Sequence, residues 1–356
     1  MSSAGPYSAS SDSVVVGQGA WRYRADGHWP SLPQGWSFVE VPGVAADSAG
    51  NVLVFNRGEH PLIIFDQQGR FIRSWGEGQF VRPHGLTVGP DDAVYCVDDA
   101  DHTVRKYTPD GRLVWKLGTS GQPSDTGARS VDYRHIRQAA GPFNFPTNLA
   151  LAPDGEIYIA DGYGNARIHR YTSDGQFVSS WGEPGNGAGQ FHVPHGIAVD
   201  SQKTVYVADR ENSRLQLFSP EGKFLDQWTD VARPCQVRID SRGNVFVAEL
   251  GFRAGMFAGN QPPPGSSTGG RVSIFDRAGQ LQARWGGGDN PCQAGDFYAP
   301  HDIWIDPSGD LYVGEVAMSA GGNRGLVPSH CHVLQKFVRL SPQEPACESH
   351  TTGSSV

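Results

Sequence analysis

The sequence predicts an all-β fold, a six-bladed β-propeller, from three observations: a backbone rich in turn residues, a six-fold internal repeat, and about four short strands in each repeat. The 356 residues include 46 Gly and 25 Pro, so many short elements joined by turns are expected and a helical bundle is nearly excluded. Hydrophobic content of 38% and aromatic content of 10% suffice to bury a large core, which argues against a disordered or fibrous chain.

The repeat reads apolar-x-apolar, then a turn of Asp, Pro, Ser and Gly, then an alternating strand that ends in an acid or amide. It runs VAADSAGNVLVFN from Val44, LTVGPDDAVYCVD from Leu86, LALAPDGEIYIAD from Leu149, IAVDSQKTVYVAD from Ile197, VRIDSRGNVFVAE from Val237 and IWIDPSGDLYVGE from Ile303. The closing residues Asn56, Asp98, Asp161, Asp209, Glu249 and Glu315 each stand 12 positions after the start, without a gap. A third strand such as TVRKYTPDG or ARIHRYTSDG follows, and then a fourth such as GRLVWKLG or GQFVSSWG, which together make one antiparallel propeller blade.

The propeller is expected over residues 20–340, with blades starting near 44, 86, 149, 197, 237 and 303. WRYRAD, from Trp21, is a candidate for the outer strand that closes the last blade. Residues 1–19 are expected to form a flexible segment and 341–356 a disordered tail. Repeats two, five and six carry insertions, at 120–141, 253–270 and 317–330. Loops on one face of a propeller commonly form its ligand entrance, so these are lid candidates.

Lys and Arg number 29 against 37 Asp and Glu, for a net charge of −8 with no run of like charge, so nucleic acid and anionic membranes are poor partners. The N-terminus has neither a basic start nor an apolar stretch of signal-peptide length, and no stretch approaches the ~18 apolar residues of a membrane span. A cytoplasmic location is expected. The five cysteines, Cys96, Cys235, Cys292, Cys331 and Cys347, are odd in number and lack CxxC spacing, which suggests neither a disulfide framework nor a cysteine-based zinc module.

Before the first apolar position, every repeat has Pro followed by a variable residue: Pro42-Gly43, Pro83-His84, Pro146-Thr147, Pro194-His195, Pro234-Cys235 and Pro300-His301. Composition alone predicts about one Pro-His pair, so histidine in this slot of repeats two, four and six is a strong signal. The first strand of a blade lines the central channel, and the same slot in alternate blades aims three side chains at the axis. Three imidazoles at about 2.1 Å from one point, with a fourth position open, describe a catalytic zinc site. Histidines that merely fill the channel are the plainer alternative.

Just past the second strand, also at the channel mouth, stand Arg57, Tyr163 and Arg210, at offsets of 13, 14 and 13 from their blade starts. Two guanidiniums beside a metal suit a carboxylate, and a tyrosine between them suits proton exchange. Solvent-facing charge and a packed aromatic are the alternative. Asp302, next to His301, is placed to bind a hard cation with the backbone carbonyls of Val44 and Leu86, or else to act as a hydrogen-bonded structural residue.

The repeats resemble NHL repeats, and NRGEHP, RPHGL, DGYGNARI, VPHGI, ADRENSRLQ and APHDI together resemble the peptidyl-alpha-hydroxyglycine alpha-amidating lyase family over roughly residues 37 to 340. By that resemblance, His84, His195 and His301 are zinc ligands. Val44, Leu86 and Asp302 form a structural calcium site, Arg57 and Arg210 are active-site arginines, and Tyr163 is the catalytic tyrosine. The implied reaction splits an N-acyl alpha-hydroxyglycine or similar carbinolamide into an amide and glyoxylate, and the partner is a small-molecule or peptide-like substrate bearing a carboxylate. This chain has Ala299 where animal members have Met, and Gly164, Tyr206 and Leu217 where secreted members have disulfide cysteines. Two alternatives stand beside the lyase: a zinc-dependent hydratase or hydrolase of a small catabolic substrate, and a non-catalytic protein-interaction module.

Overall fold

The Pro-led segments become the innermost strands. They run Gly43–Ala46, Pro83–Val88, Pro146–Leu151, Pro194–Val199, Pro234–Ile239 and Pro300–Ile305 in the computed structural model, which describes residues 14–27, 29–328 and 331–341. Each pairs antiparallel with a second strand, at Val52–Phe55, Val94–Asp98, Ile157–Asp161, Val205–Asp209, Val245–Glu249 and Leu311–Glu315; two further strands complete the sheet in blades one to five and three in blade six. The molecule is a six-bladed β-propeller. Proline costs nothing at the first residue of a channel-facing strand, where its missing N–H has no neighbour to bond. In blades two to six the register slips immediately after that proline, between Pro83 and Leu86 or Pro146 and Asn148 for example. Such a bulge re-aims the residue that follows.

The acid or amide that ends each repeat binds the chain where it enters the innermost strand. Asn56 accepts the N–H of Val39 at 3.0 Å, Asp98 that of Arg82 at 2.9 Å, Asp161 that of Asn144 at 3.0 Å, Asp209 that of His192 at 2.8 Å and Glu315 that of Tyr298 at 2.9 Å. Glu249 takes the N–H of Ala232 in the same way. All six are fully buried, and burial pushes the Asp209 carboxyl up to about 6 despite the Arg214 guanidinium 2.8 Å away. A side chain on the neighbouring strand answers several of these charges, such as Arg271 at 2.8 Å from Glu249.

The apolar core lies between the blades. Tyr158, Ala160 and Ile168 of blade three pack with Ile197, Val205, Val207 and Phe218 of blade four, for instance. The fourth strands of blades one, three and four end in Trp75, Trp181 and Trp228, and a turn glycine of the next blade lies against each indole. At Gly222, whose φ is +86°, a Cβ would come within 2.5 Å of the Trp181 ring, so the approach demands glycine.

The ring closes with both ends of the chain. Trp21–Asp26 pairs with Leu334–Arg339, Tyr23 opposite Arg339 and Asp26 opposite Lys336, and supplies the fourth strand of blade six. Val15–Gln18 adds a fifth, so of residues 1–19, expected to be flexible, these four are held in the sheet; residues 1–13 lie outside the described residues. Of the tail expected over 341–356, everything past residue 341 also lies outside them.

One expectation is corrected. Cys292 and Cys331 form a disulfide with Cα atoms 4.6 Å apart, joining segments 39 residues apart in sequence. Odd count and missing CxxC spacing could not reveal it, because the pair meets only where the loop after blade five lies against blade six. Cys96 and Cys235 are free and buried. No helix among the described residues is long and apolar enough to cross a membrane.

If closure depends on the N-terminal strand, Tyr23 is its anchor: it is wholly buried and its ring centroid is 5.4 Å from that of Trp285. Tyr23→Ala should cost about 3 kcal/mol in chemical denaturation, against well under 1 kcal/mol for Leu113→Ala on an outer strand, where the side chain is 49% exposed.

Candidate metal centre

The bulges after Pro83, Pro194 and Pro300 turn His84, His195 and His301 to the axis, with ring centroids 4.7 to 4.9 Å apart. One nitrogen from each lies within 4.8 Å of the other two. Each Nδ1–H donates to a backbone carbonyl at the start of the next blade: His84 to Thr147 at 2.6 Å, His195 to Cys235 at 2.8 Å and His301 to Pro42 at 2.8 Å. The odd-numbered blades, which lack histidine in this slot, thus supply the orienting acceptors, and every Nε2 lone pair faces the centre. Sequence reading singled out the three histidines and missed these partners, because a carbonyl carries no residue signature.

Burial, reinforced by neighbouring imidazoles and arginines, pushes His84 and His195 well below the ordinary histidine range. Burial and then the Arg57 charge take His301 down to about 3. All three are therefore neutral near pH 7, the form that ligates a metal. His301 Nε2 is buried with no hydrogen-bond partner, a cost that a bound cation would remove. The donor set fits a divalent metal with an affinity for imidazole nitrogen.

Tyr163, in the loop after the second strand of blade three, places its hydroxyl 3.1 Å from His195 Nε2 and 3.3 Å from His84 Nε2. Arg210 Nη1 donates to the same oxygen at 3.3 Å while its Nε is held by Glu211 at 2.9 Å. Arg57, on the other side, is fixed by the Pro83 carbonyl and by Glu40, each at 2.9 Å. The structure therefore brings the three histidines, the tyrosine and both arginines to one end of the channel.

Arg82 and Asp99 join them, unassigned by sequence reading. Arg82 makes a two-point bond to the Asp99 carboxylate at 2.6 and 2.7 Å, and that carboxylate lies 4.0 Å from His84 Nε2. Burial raises the Asp99 carboxyl while Arg82 opposes the rise. The signal was available: Asp99 stands 13 residues after Leu86, the same offset as Arg57 and Arg210.

Arg57, Arg82, Asp99, Tyr163, Arg210 and His301 line a cavity of about 170 Å³ with an apolar wall that includes Val131, Leu250, Phe257, Val316 and Ala320. All three insertions contribute to it, through Val131, Phe257 and Ala320. The first two also grip each other: Arg134 donates to the Ala258 carbonyl at 2.7 Å, and the Tyr133 and Phe257 rings meet edge to face at 5.3 Å. Ala299 packs behind this wall, in one apolar cluster with Leu250 and Val316.

Asp302 is placed differently from the expectation. Its carboxylate accepts the N–H groups of Val44 and Ile303 and the Gln236 amide, all at 2.9 Å. The Leu86 carbonyl, expected on calcium, accepts from Arg238 Nη2 at 3.0 Å. The same guanidinium lies 3.5 Å from the Asp302 carboxylate, so a permanent cation already stands between the Leu86 carbonyl and Asp302, and these residues do not fit calcium.

Elemental analysis should find about one transition-metal ion per chain, and His84→Ala, His195→Ala or His301→Ala should each remove most of it. Full metal in the His195→Ala protein would refute the site. In the metal-free protein the lowered imidazole pKa values have a stability consequence. The unfolded chain binds protons below about pH 6.5 where the folded chain does not, so stability falls as pH drops through and below that value. Melting temperatures of the stripped protein between about pH 7.5 and 5 should show the decline, and His301→Gln should flatten it.

An NHL repeat family model matches residues 143–171 and 191–218. Human NHL repeat-containing protein 3 is 30% identical over 354 residues, an alignment covering 92% of this chain and 88% of that one. Peptidyl-alpha-hydroxyglycine alpha-amidating lyase 1 of Drosophila melanogaster is 29% identical over 351 residues, covering 86% and 58%. Mouse peptidyl-glycine alpha-amidating monooxygenase is 28% identical over 380 residues; 91% of this chain is covered, but the chain spans only 34% of that protein's length. With the six-bladed ring, its repeats and these relatives in agreement, the chain belongs to the family of NHL-repeat propellers that takes in NHL repeat-containing protein 3 and the peptidyl-alpha-hydroxyglycine alpha-amidating lyases.

Proposed function

We propose that the protein is a zinc-dependent lyase that cleaves an N-acyl alpha-hydroxyglycine, or a similar carbinolamide bearing a carboxylate, to an amide and glyoxylate. The observation that carries this reading is the Tyr163 hydroxyl. It sits 3.1 and 3.3 Å from two of the three inward-facing imidazole nitrogens and shares its oxygen with Arg210. A proton-transfer group is thereby next to the metal position and next to a carboxylate anchor at once.

A zinc ion held by His84, His195 and His301 would supply Lewis-acid polarisation of the substrate hydroxyl. Tyr163 is positioned to take the hydroxyl proton and return one to the departing nitrogen. As the C–O bond becomes a carbonyl, the C–N electron pair leaves with nitrogen, and no covalent enzyme intermediate is required. Arg57 and Arg210 bind the carboxylate that ends up on glyoxylate, and their acidic partners Glu40 and Glu211 keep both guanidiniums oriented. The apolar wall from the insertions limits water at the reacting atoms.

The Cys292–Cys331 bond weighs against the cytoplasmic location expected from sequence, since such bonds persist in oxidising compartments.

The test is release of glyoxylate from alpha-hydroxyhippurate by the zinc-loaded protein. Tyr163→Phe removes only the hydroxyl and should lower kcat by about 10² to 10⁴ with metal retained. Arg210→Ala should raise KM for substrates with a carboxylate and matter much less for neutral analogues. A metal-loaded protein that releases no glyoxylate from several such substrates would remove the lyase reading and leave hydration or hydrolysis at the same centre. A chain without metal would favour the interaction module.

A further inference from the structure

Below the histidines, on the far side of the channel, the innermost strands of blades five and six depart from the other four. The position after the first apolar residue of each repeat holds the small residues Ala45, Thr87, Ala150 and Ala198 in blades one to four, but Arg238 in blade five and Trp304 in blade six. Two residues earlier on the same strand stands Gln236, so both side chains share the axial face.

Arg238 is 8% exposed and reaches across the ring. Its Nη2 donates to the Leu86 carbonyl of blade two at 3.0 Å, its Nε to the Ile303 carbonyl of blade six at 3.3 Å, and its guanidinium lies 3.5 Å from the Asp302 carboxylate and 5.6 Å from the Trp304 ring centroid. Asp302 also receives three N–H donors, from Val44, Gln236 and Ile303. Calcium needs six to eight oxygen ligands at 2.3–2.6 Å. Here the Leu86 carbonyl already faces a permanent cation, and a second cation on the same oxygen would meet that guanidinium at close range in a buried setting.

We propose that the Arg238 guanidinium takes the place of a channel calcium ion, tying blades two, five and six together through Leu86, Ile303 and Asp302. The buried Asp302 charge is compensated internally, with no divalent ion needed to close the ring. The assignment is independent of the reaction at the other end of the channel.

The experiment measures calcium content and thermal stability, neither of which depends on activity. The unmutated protein as purified should hold far less than one calcium per chain, and millimolar calcium chloride should leave its melting temperature unchanged. Arg238→Met leaves Asp302 buried without its cation and should lower the melting temperature by on the order of 5 °C. Should that variant fail to fold, Arg238→Lys, which keeps the charge but cannot bridge both carbonyls, should show a smaller loss. One calcium per chain in the unmutated protein, a calcium-dependent rise in its melting temperature, or substituted proteins that melt with the parent would each overturn the proposal.

Discussion

Closing six sheets into a ring turns the first residues of each innermost strand toward one axis, and the chemistry of the molecule is built on that convergence. Side chains from blades that are far apart in sequence meet there without any long-range motif. The bulge after Pro83, Pro194 or Pro300 sets the aim, and a carbonyl from the following blade fixes each imidazole. Even and odd blades divide the work: one set brings the imidazoles, the other orients them.

Around this centre, positive charge is plentiful and held. Arg57, Arg82 and Arg210 reach the cavity, and each is tied to a carboxylate, Glu40, Asp99 and Glu211 respectively. Pairing spares each buried guanidinium its full desolvation cost while leaving N–H groups for a ligand. Burial first, and then the nearby fixed cations, keep the imidazoles neutral by opposing a further proton.

The two ends of the channel answer the problem of axial charge in different ways. At the mouth, neutral imidazoles leave a lone pair unsatisfied, most plainly at His301 Nε2. At the far side, Asp302 is satisfied four times over, by three N–H donors and the guanidinium of Arg238. The first keeps an unpartnered lone pair, and the second is a closed clasp.

The repeat register alone pointed to the blade count, the channel-facing slot and the positions of His84, His195, His301, Arg57, Tyr163 and Arg210, because a propeller converts a shared offset within each repeat into a similar depth along the axis. What it did not hold were relations between blades. The Thr147, Cys235 and Pro42 carbonyls, the Cys292–Cys331 bond and the fit of Val15–Gln18 into blade six all arise between segments with no shared motif. Asp302 shows the limit most sharply. Its type and place suited a calcium ligand, yet whether its charge is met by an ion or by a side chain depends on where a blade-five arginine reaches. Only the closed ring, which brings Arg238 across the axis to Leu86, could decide that.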